Sequence, residues 1–246
     1  MKIGEIALGN IPVVVGTVSG NLNLSTEIVD KVDIFEIRID RFKSQEINSI
    51  LKFIESLKQT YGKPLIATVR SLEEGGAISI DDNKRFEIFK EIAPFVDSID
   101  IELSSPNLLK RIRSLCKEKL LIASYHNHAK TPEDDMLMTL ITDAKAYGAD
   151  VIKIAVMAKN KEDLSKLILF TIKNKDKGLI TISLGSIGSI SRIINPIIGS
   201  LMTYGYIDTP SSNGQLSVFD IVEYLRLFDP KYNEFLINRA RLFEFV

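Results

Sequence analysis

Residues 120–157 read LLIASYHNHAKTPEDDMLMTLITDAKAYGADVIKIAVM, in which two β-branched runs flank a longer stretch with helical spacing. Thr131 is a suitable N-cap, Pro132 suits the first helical position, and Gly148 stands where a C-terminal cap belongs. The helix therefore ends directly before the second run. This segment predicts a strand, a helix and a second strand in succession.

The same alternation extends over the rest of the chain. Asn160 is the predicted N-cap of the next helix, and Ser217 with Asp220 resembles a capping box. The other β-branched runs are IPVVVGTV from Ile11, DIFEIRI from Asp33, PLIATV from Pro64, DSIDIEL from Asp97, LITISL from Leu179 and SLMTYGYI from Ser200. Eight strands that alternate with helices in about 250 residues predict an α/β fold, the (β/α)8 TIM barrel.

We expect one barrel domain over residues 1–246, with residues 1–12 as a short N-terminal hairpin that closes the barrel bottom. An open doubly wound sheet is the alternative fold, although such a sheet usually has fewer strands. The sequence has no G-x-G-x-x-G after its first strand and no G-x-x-x-x-G-K, so nucleotide binding is not supported.

The composition is that of an ordinary globular protein, with 45% hydrophobic and 26% charged residues. Because 31 Lys and Arg balance 32 Asp and Glu, no positive field attracts nucleic acid or anionic lipid. Cys116 is the only cysteine, which excludes an intrachain disulfide and suits a reducing compartment. No run approaches the ~18 apolar residues of a membrane span, and residues 1–10 lack the apolar core of a signal peptide. We therefore expect a mature cytoplasmic protein without nucleic-acid or membrane partners.

A charged residue inside an apolar strand indicates where the chemistry takes place. Both faces of a barrel strand are covered, so such a residue must face the lumen, and active sites lie at the carboxyl ends of the strands. Lys153 lies within DVIKIAV. Desolvation favours its free amine, a nucleophile that forms a Schiff base with a ketone. A lysine paired with a carboxylate for structure alone, or one in water at a strand end, is the alternative interpretation.

The run that begins at Asp33 alternates strictly between charged and apolar residues. The alternation places Glu36, Arg38 and Asp40 on the lumen face, where Glu36 and Arg38 can bind hydroxyls or an anion. Arg70 follows the third run and precedes an acidic turn that contains Glu74. Its guanidinium suits a planar anion, although a solvated loop explains the same residues when they are taken alone.

The only histidines, His126 and His128, follow the fifth run. His126 continues one face of that strand, and a fixed histidine at a strand end suits a general base. A capping or packing histidine is one alternative, and half of a metal site is another. The chain has no further histidine and no cysteine cluster, so zinc would need unusual carboxylate ligation, and we predict no metal.

Two loops near the end of the chain have the composition of ligand-binding loops. Arg192 follows a Gly/Ser-rich turn, and Ser211 and Gln215 lie in a long loop after the eighth run. Such a loop can close over a ligand, with Arg192 on a carboxylate and Ser211 and Gln215 on hydroxyl or carboxylate oxygens. A flexible surface loop and a helix arginine are the alternative interpretation.

These segments together resemble a known enzyme family. EIRID at Glu36, TVRSLEEGG at Thr68, SYHNHAKTP at Ser124, ADVIKIAVM at Ala149, SISR at Ser189 and SSNGQLS at Ser211 are similar to motifs of type I 3-dehydroquinate dehydratase. Their order and spacing agree over almost the whole chain. Each motif is weak alone, but six in order make a strong signal, and the initial KIGEIALGNIP resembles the hairpin that precedes the barrel in this family.

The resemblance implies a role for each matching residue. It implies that Lys153 forms an imine with the C3 ketone of 3-dehydroquinate, that His126 moves protons, and that Glu74 orients His126. The residues that it implies for substrate binding are Arg192 on the carboxylate, Ser211 and Gln215 in the closing loop, and Glu36, Arg38 and Arg70 around the ring hydroxyls. It also implies formation of 3-dehydroshikimate in the shikimate pathway, no metal or organic cofactor, and a homodimer.

The sequence departs from the family pattern beside the predicted site. Asn127 and His128 stand where many members have Asp and Phe, and Ile182 and Leu184 stand where some have methionines. These changes concern packing more than proton chemistry. Two other functions stay open: a Schiff-base class I aldolase, for which no clear phosphate loop is found, and a non-catalytic barrel that only binds its ligand.

Overall fold

The computed structural model describes residues 1–20, 23–210 and 212–243. Two short strands, β1 (Lys2–Ile3) and β2 (Ile6–Ala7), come before eight longer ones. The longer strands are β3 (Val13–Val18), β4 (Ile34–Arg38), β5 (Leu65–Thr68), β6 (Ser98–Glu102), β7 (Leu120–Asn127), β8 (Val151–Met157), β9 (Leu179–Leu184) and β10 (Met202–Tyr206). Each lies on one of the eight predicted runs, so all eight predictions are confirmed.

Helices separate the successive long strands, and the last two helices follow β10. They are α1 (Thr26–Lys31), α2 (Ile47–Tyr61), α3 (Asp82–Ile92), α4 (Pro106–Leu115), α5 (Asp134–Ala146), α6 (Lys161–Asn174), α7 (Ser191–Ile198), α8 (Val218–Phe228) and α9 (Pro230–Phe243). In the part of the chain that the structure describes, none of them is long and apolar enough to span a membrane.

The long strands form one parallel sheet that curves into a barrel. Their order is β10, β3, β4, β5, β6, β7, β8 and β9. Each strand from β3 to β8 pairs with its successor in the chain, and β10 pairs with β3, so that β9 and β10 meet at a seam. Parallel strands separated by helices are the arrangement of a (β/α)8 barrel. The predicted fold is confirmed.

The seam between β9 and β10 is closed mostly by side chains. One backbone bond, from Leu201 N to Leu179 O, joins the two segments at 2.8 Å. Further along β9, Thr181 N donates to Ser200 Oγ at 3.1 Å, and Ser183 N donates to Ser191 Oγ at 2.8 Å. These hydroxyls satisfy backbone donors that a neighbouring strand would otherwise satisfy.

The N-terminal hairpin lies at the bottom of the barrel, as predicted. Its strands β1 and β2 pair antiparallel, with Lys2 opposite Ala7. Ile3 and Leu8 are buried in the same cluster as the lumen residues Val13 and Ile34. The hairpin therefore supplies apolar side chains that fill the amino-terminal end of the lumen.

Two predicted helix starts are confirmed and one is wrong. Asn160 Oδ1 accepts from Asp163 N at 2.8 Å before α6, and Ser217 Oγ accepts from Asp220 N at 3.0 Å before α8. Helix α5 has Glu133 as its N-cap instead of Thr131. The Thr131 hydroxyl donates to Met157 O at 2.8 Å. It therefore anchors the loop to the end of β8 and is not used by the helix.

Candidate active site

Four lumen side chains from alternate strands meet at one level of the barrel. Lys153 Nζ on β8 lies 3.2 Å from Glu36 Oε1 on β4 and 3.1 Å from Asp100 Oδ2 on β6. It also lies 3.8 Å from the ring centroid of Tyr204 on β10. Alternate strands contribute the side chains of each layer inside such a barrel, which explains why these four meet. The layer holds a buried lysine between two carboxylates and an aromatic face.

The two carboxylates keep their negative charge in spite of burial. Burial opposes ionisation of Glu36, but the charges of Lys153 and then Arg38 outweigh it and hold the pKa of Glu36 below its ordinary value. Burial also opposes ionisation of Asp100, but Arg70 and Lys153 hold the pKa of Asp100 well below its ordinary range. The two ionised carboxylates therefore both face Lys153 Nζ across the lumen.

Arg70 joins this layer to a second row of buried charges. Its guanidinium contacts Asp100 at 3.1 Å, Glu102 at 2.8 Å and Ser124 Oγ at 2.6 Å. Glu102 is also paired with the buried Arg85 on α3. Since three partners fix its guanidinium, Arg70 is held in one orientation.

Arg38 and Asp40 form a closed pair at the end of β4. Arg38 Nε donates to Asp40 Oδ1 at 2.9 Å, and Arg38 Nη2 donates to Asp40 Oδ2 at 2.8 Å. Asp40 also accepts from the backbone of Arg70 and Ala77, which lie on either side of the β5 loop. The pair holds this loop against β4 while Arg38 still lines the site cavity.

His126 lies at the carboxyl end of β7 and is held by Glu74. Glu74 Oε2 accepts from the backbone N of His126 at 2.8 Å and lies 2.9 Å from His126 Nδ1. Burial, followed by the charges of Arg70 and Lys153, lowers the pKa of His126 well below its ordinary value. A neutral imidazole whose Nδ1–H donates to Glu74 keeps Nε2 as a proton acceptor. This is the arrangement that a general base requires.

Glu74 is itself a perturbed acid. Burial, followed by the negative charge of Glu102, raises the pKa of Glu74 to about 7. Ser104 Oγ donates to its second oxygen at 2.8 Å. One proton between Glu74 and His126 therefore satisfies both groups near neutral pH.

Arg192 is a buried cation whose hydrogen bonds to described residues all go to neutral oxygens. Its guanidinium donates to Tyr204 O at 2.9 Å, to Ser212 Oγ at 3.3 Å and to Gly214 O at 3.4 Å. Burial lowers the pKa of Arg192 to about 10, still far above neutral. A buried guanidinium that meets only neutral acceptors is well suited to an anionic ligand, because a carboxylate supplies the missing counter-charge.

One cavity brings the predicted residues together. Its lining includes Lys153, His126, Glu74, Glu36, Arg38, Arg70, Arg192 and Gln215. The predicted residue Ser211 lies outside the described residues, while its neighbour Ser212 lines the cavity and contacts Arg192. The cavity is therefore lined by a buried lysine, a histidine paired with a carboxylate, and a buried arginine.

Three of the four departures from the family pattern also lie at this cavity. Ile182 and Leu184 line it from β9, and His128 lines it near the turn that carries Glu74. His128 Nε2 lies 3.5 Å from Glu74 O. Within residues 1–20, 23–210 and 212–243, no three His, Cys, Asp or Glu side chains are grouped as metal ligands.

The sequence prediction missed Asp100, Glu102 and Tyr204, which contact Lys153 or Arg70. Asp100 and Glu102 alternate with Ile99 and Ile101 along β6, which is the same signal that identified Glu36 and Arg38. A uniform application of the alternation rule finds both. Tyr204 gave no such signal, because an aromatic residue in an apolar strand is ordinary core.

Comparison with known proteins decides the family. A model of the family described as type I 3-dehydroquinase matches residues 10–231. The chain belongs to this family. A 3-dehydroquinate dehydratase from Thermodesulfovibrio yellowstonii is 34% identical over 223 residues, which cover 89% of this chain and 97% of that relative. The predicted type I 3-dehydroquinase family is confirmed.

Solved structures of 3-dehydroquinate dehydratases have the same fold. The 3-dehydroquinate dehydratase from Geobacillus kaustophilus has a TM-score of 0.83 at 26% identity, covering 94% of this chain and 96% of that one. The type I enzyme from Clostridium difficile, solved with covalently modified comenic acid, has a TM-score of 0.82 at 27% identity, covering 92% of this chain and 96% of that one. The match includes nearly all of each chain.

Proposed function

We propose that the protein is a hydro-lyase that converts 3-dehydroquinate to 3-dehydroshikimate and water through an imine on Lys153. The observation that carries the proposal is the position of Lys153, whose buried Nζ lies in the same cavity as the His126–Glu74 pair and Arg192. Family membership supports the reaction class, and the solved relative with covalently modified comenic acid agrees with covalent chemistry in this family.

The proposed reaction begins with attack of the Lys153 amine on the C3 ketone. The carbinolamine loses water and leaves a protonated imine, which acts as an electron sink and makes the C2 proton acidic. Neutral His126 removes that proton and then delivers it to the departing C1 hydroxyl. Hydrolysis of the product imine releases 3-dehydroshikimate and restores Lys153.

Arg192 and the loop around Gln215 hold the substrate in this scheme. The Arg192 guanidinium binds the C1 carboxylate, and Gln215 offers an amide to the same oxygens or to a hydroxyl. Glu36 and Arg70 contribute polar groups beneath the ring. The substrate is thus positioned with its ketone over Lys153 and its C2 proton near His126.

The deciding experiment is mass spectrometry after incubation with 3-dehydroquinate and borohydride, with a parallel assay for 3-dehydroshikimate. We expect a reduced adduct on Lys153 and product in the untreated sample. Formation of product without an adduct contradicts the imine mechanism. If neither product nor adduct forms, the protein is an aldolase or a barrel that only binds its ligand.

Two variants separate the roles of nucleophile and base. Lys153→Ala should lose both adduct and product. His126→Ala should slow product formation by about 100-fold or more and still accumulate the reduced adduct. Lys173→Ala, a change at an exposed position on α6, is the matched control and should behave as the parent. Full activity of His126→Ala contradicts the proton-transfer role.

The expected homodimer and cytoplasmic location are part of the same proposal. Exposed apolar residues on α8 support a dimer, among them Phe219, Tyr224, Leu227 and Phe228. Such a face on a soluble chain is characteristic of an interface. Sedimentation should give twice the 27.5 kDa chain mass, and Leu227→Asp should lower it if α8 forms the contact. A monomer at micromolar concentration contradicts the dimer.

A further inference from the structure

Imine formation requires a group near Lys153 that can accept a proton from its ammonium. An ammonium has no lone pair, so one proton must leave Lys153 before its nitrogen attacks a ketone. The partners of Nζ are Glu36 at 3.2 Å, Asp100 at 3.1 Å and the ring face of Tyr204 at 3.8 Å. A ring face cannot accept the proton as a base. The acceptor is therefore to be sought between the two carboxylates.

Asp100 is fixed as an acceptor by its other partners. Its Oδ2 lies 3.1 Å from the Arg70 guanidinium, which can only donate. Its Oδ1 accepts from Ser124 Oγ at 2.5 Å. Ser124 Oγ accepts from Arg70 Nη1 at 2.6 Å, so its own proton is directed at Asp100. A proton on Asp100 would meet donors on both oxygens, which opposes its transfer there.

Glu36 has partners that tolerate protonation. Oε1 accepts from Thr68 Oγ1 at 3.0 Å, and Oε2 lies 3.3 Å from Thr17 Oγ1. A hydroxyl can rotate and accept, so either threonine can receive a hydrogen bond from a protonated Glu36. The nearest guanidinium in sequence, Arg38, forms its bidentate bond with Asp40. Glu36 can therefore change its protonation state without breaking a bond to an arginine.

We propose that Glu36 takes the proton from Lys153 as the imine forms and returns it to the carbinolamine hydroxyl. In the first step Lys153 Nζ loses a proton to the Glu36 carboxylate, and its freed electron pair forms the bond to the ketone carbon. A proton then passes from the new ammonium to the alkoxide, which gives a neutral carbinolamine. In the last step the Glu36 proton goes to the hydroxyl, the C–O bond breaks, and water leaves.

The layer around Lys153 then stabilises the iminium ion that forms. The iminium restores a positive charge at Nζ, where ionised Glu36, ionised Asp100 and the Tyr204 ring all face it. Asp100 stays charged throughout and holds Arg70, while Glu36 carries the proton. The two carboxylates that look equivalent around Lys153 thus have different roles. This assignment rests on the proposed imine mechanism and adds the base that the mechanism needs.

The test uses a ketone that lacks the groups Glu36 is expected to bind. The probe is 3-oxocyclohexane-1-carboxylate, which has the carboxylate for Arg192 and the ketone for Lys153 but no ring hydroxyls and no leaving group. The full-length protein is mixed with the probe, quenched with borohydride at set times, and the reduced adduct on Lys153 is measured by mass spectrometry. The rate of imine formation is thereby separated from hydroxyl recognition and from elimination.

We expect Glu36→Gln to slow imine formation at pH 7 by about 100-fold. Its rate should then rise about tenfold per pH unit, since solvent must replace the lost base and the facing groups Asp100 and Arg70 are unchanged. Asp100→Asn should slow the step by no more than about tenfold. Glu162→Gln, at an exposed position on α6, is the matched control and should equal the parent.

The assignment is overturned if Glu36→Gln forms the imine within threefold of the parent rate, or if Asp100→Asn is the slower variant. Should Glu36→Gln fail to fold, the double variant Thr17→Val with Thr68→Val decides, because it keeps the carboxylate but removes both hydroxyls that can accept from it. This double variant should slow imine formation by about tenfold, and an unchanged rate contradicts the assignment. Absence of any adduct on the parent protein, with 3-dehydroquinate as well as the probe, instead removes the imine mechanism itself.

Discussion

At the scale of single residues, Glu74 and His126 have shifted pKa values, and both take part in the proposed reaction. Glu74 and His126 are pushed in opposite directions, with the pKa of Glu74 raised to about 7 and the pKa of His126 lowered, in both cases chiefly by burial. Two adjacent groups are thus kept near neutrality in a site full of charge. This favours a base that is free to accept a proton at physiological pH.

The raised pKa of Glu74 predicts a pH dependence of stability. Between its ordinary value of 4.5 and about 7, folded Glu74 holds a proton that the unfolded chain has lost, so stability falls as pH rises through this window. Relative to Glu74→Gln, the parent should lose up to about 3 kcal/mol between pH 4.5 and pH 8. Urea unfolding of both proteins at the two pH values measures the difference.

The control for this experiment is Glu73→Gln, which changes the exposed neighbour of Glu74. Its unfolding free energy should follow the parent at both pH values. Groups that do not contact Glu74 titrate in the same way in every variant, so their contributions cancel in the comparison. A parent-minus-variant difference for Glu74→Gln that is constant with pH contradicts the raised pKa of Glu74.

The sequence predicts side chains on strand faces well and their pairing poorly. Alternation along β4 identified Glu36 and Arg38 as lumen residues because a strand's side chains have a period of two. Arg38 is the last residue of β4, and Asp40 lies two residues further on, in the 3-10 turn at Ile39–Arg41. Their pairing therefore depends on how the strand ends in that turn. Arg85 lies in a helix, where nothing in the local pattern distinguishes a buried ion pair from a solvated charge.

At the scale of elements, the positions of the strands can be predicted from local sequence. The contacts that close the seam between β9 and β10 cannot. Each β-branched run forms a strand whichever neighbour it has. The seam depends on Ser191, Asn195 and Ser200, which reach β9 from α7 and the loop after it. The α5 start was misplaced for the same kind of reason, because Thr131 has a tertiary partner in Met157 that competes with the helix.

The seam predicts a specific cost for Ser191→Ala. Ser191 is fully buried, and its hydroxyl accepts from the backbone N of Ser183 at 2.8 Å. Alanine leaves that donor without its partner, so the free energy of unfolding should fall by about 1–3 kcal/mol. Hydrogen exchange at the Ser183 amide should become faster. Ser165→Ala, an exposed serine on α6, should change stability by less than about 0.5 kcal/mol, and an equal effect of the two variants contradicts the seam's role.

At the scale of the whole molecule, stability and chemistry occupy opposite ends of the barrel. The hairpin packs Ile3 into the amino-terminal end of the lumen, while the site lies at the carboxyl ends of the strands. Substitutions at the bottom should therefore change folding without changing the reaction. That residues 1–246 form a single domain stays a prediction.

Ile3→Ala tests this separation. Ile3 is fully buried among lumen residues, so its truncation should lower the free energy of unfolding by about 2–5 kcal/mol. The specific activity of the folded fraction should equal that of the parent. Lys2→Ala, at an exposed position on the same hairpin, is the control for stability. Loss of activity in folded Ile3→Ala contradicts the separation of the two ends.

The buried charges inside the barrel also limit how such a protein can be altered. Four cations and four carboxylates are paired across the lumen and its wall: Arg38, Arg70, Arg85 and Lys153 with Glu36, Asp40, Asp100 and Glu102. Most of these pairs join two different strands, or a strand and a helix. Replacing one segment by that of another barrel therefore leaves an unpaired charge in the interior. In chimaeras and in laboratory evolution of this fold, both residues of a buried ion pair should therefore have to change together. A variant in which only one of the two has changed should fold poorly.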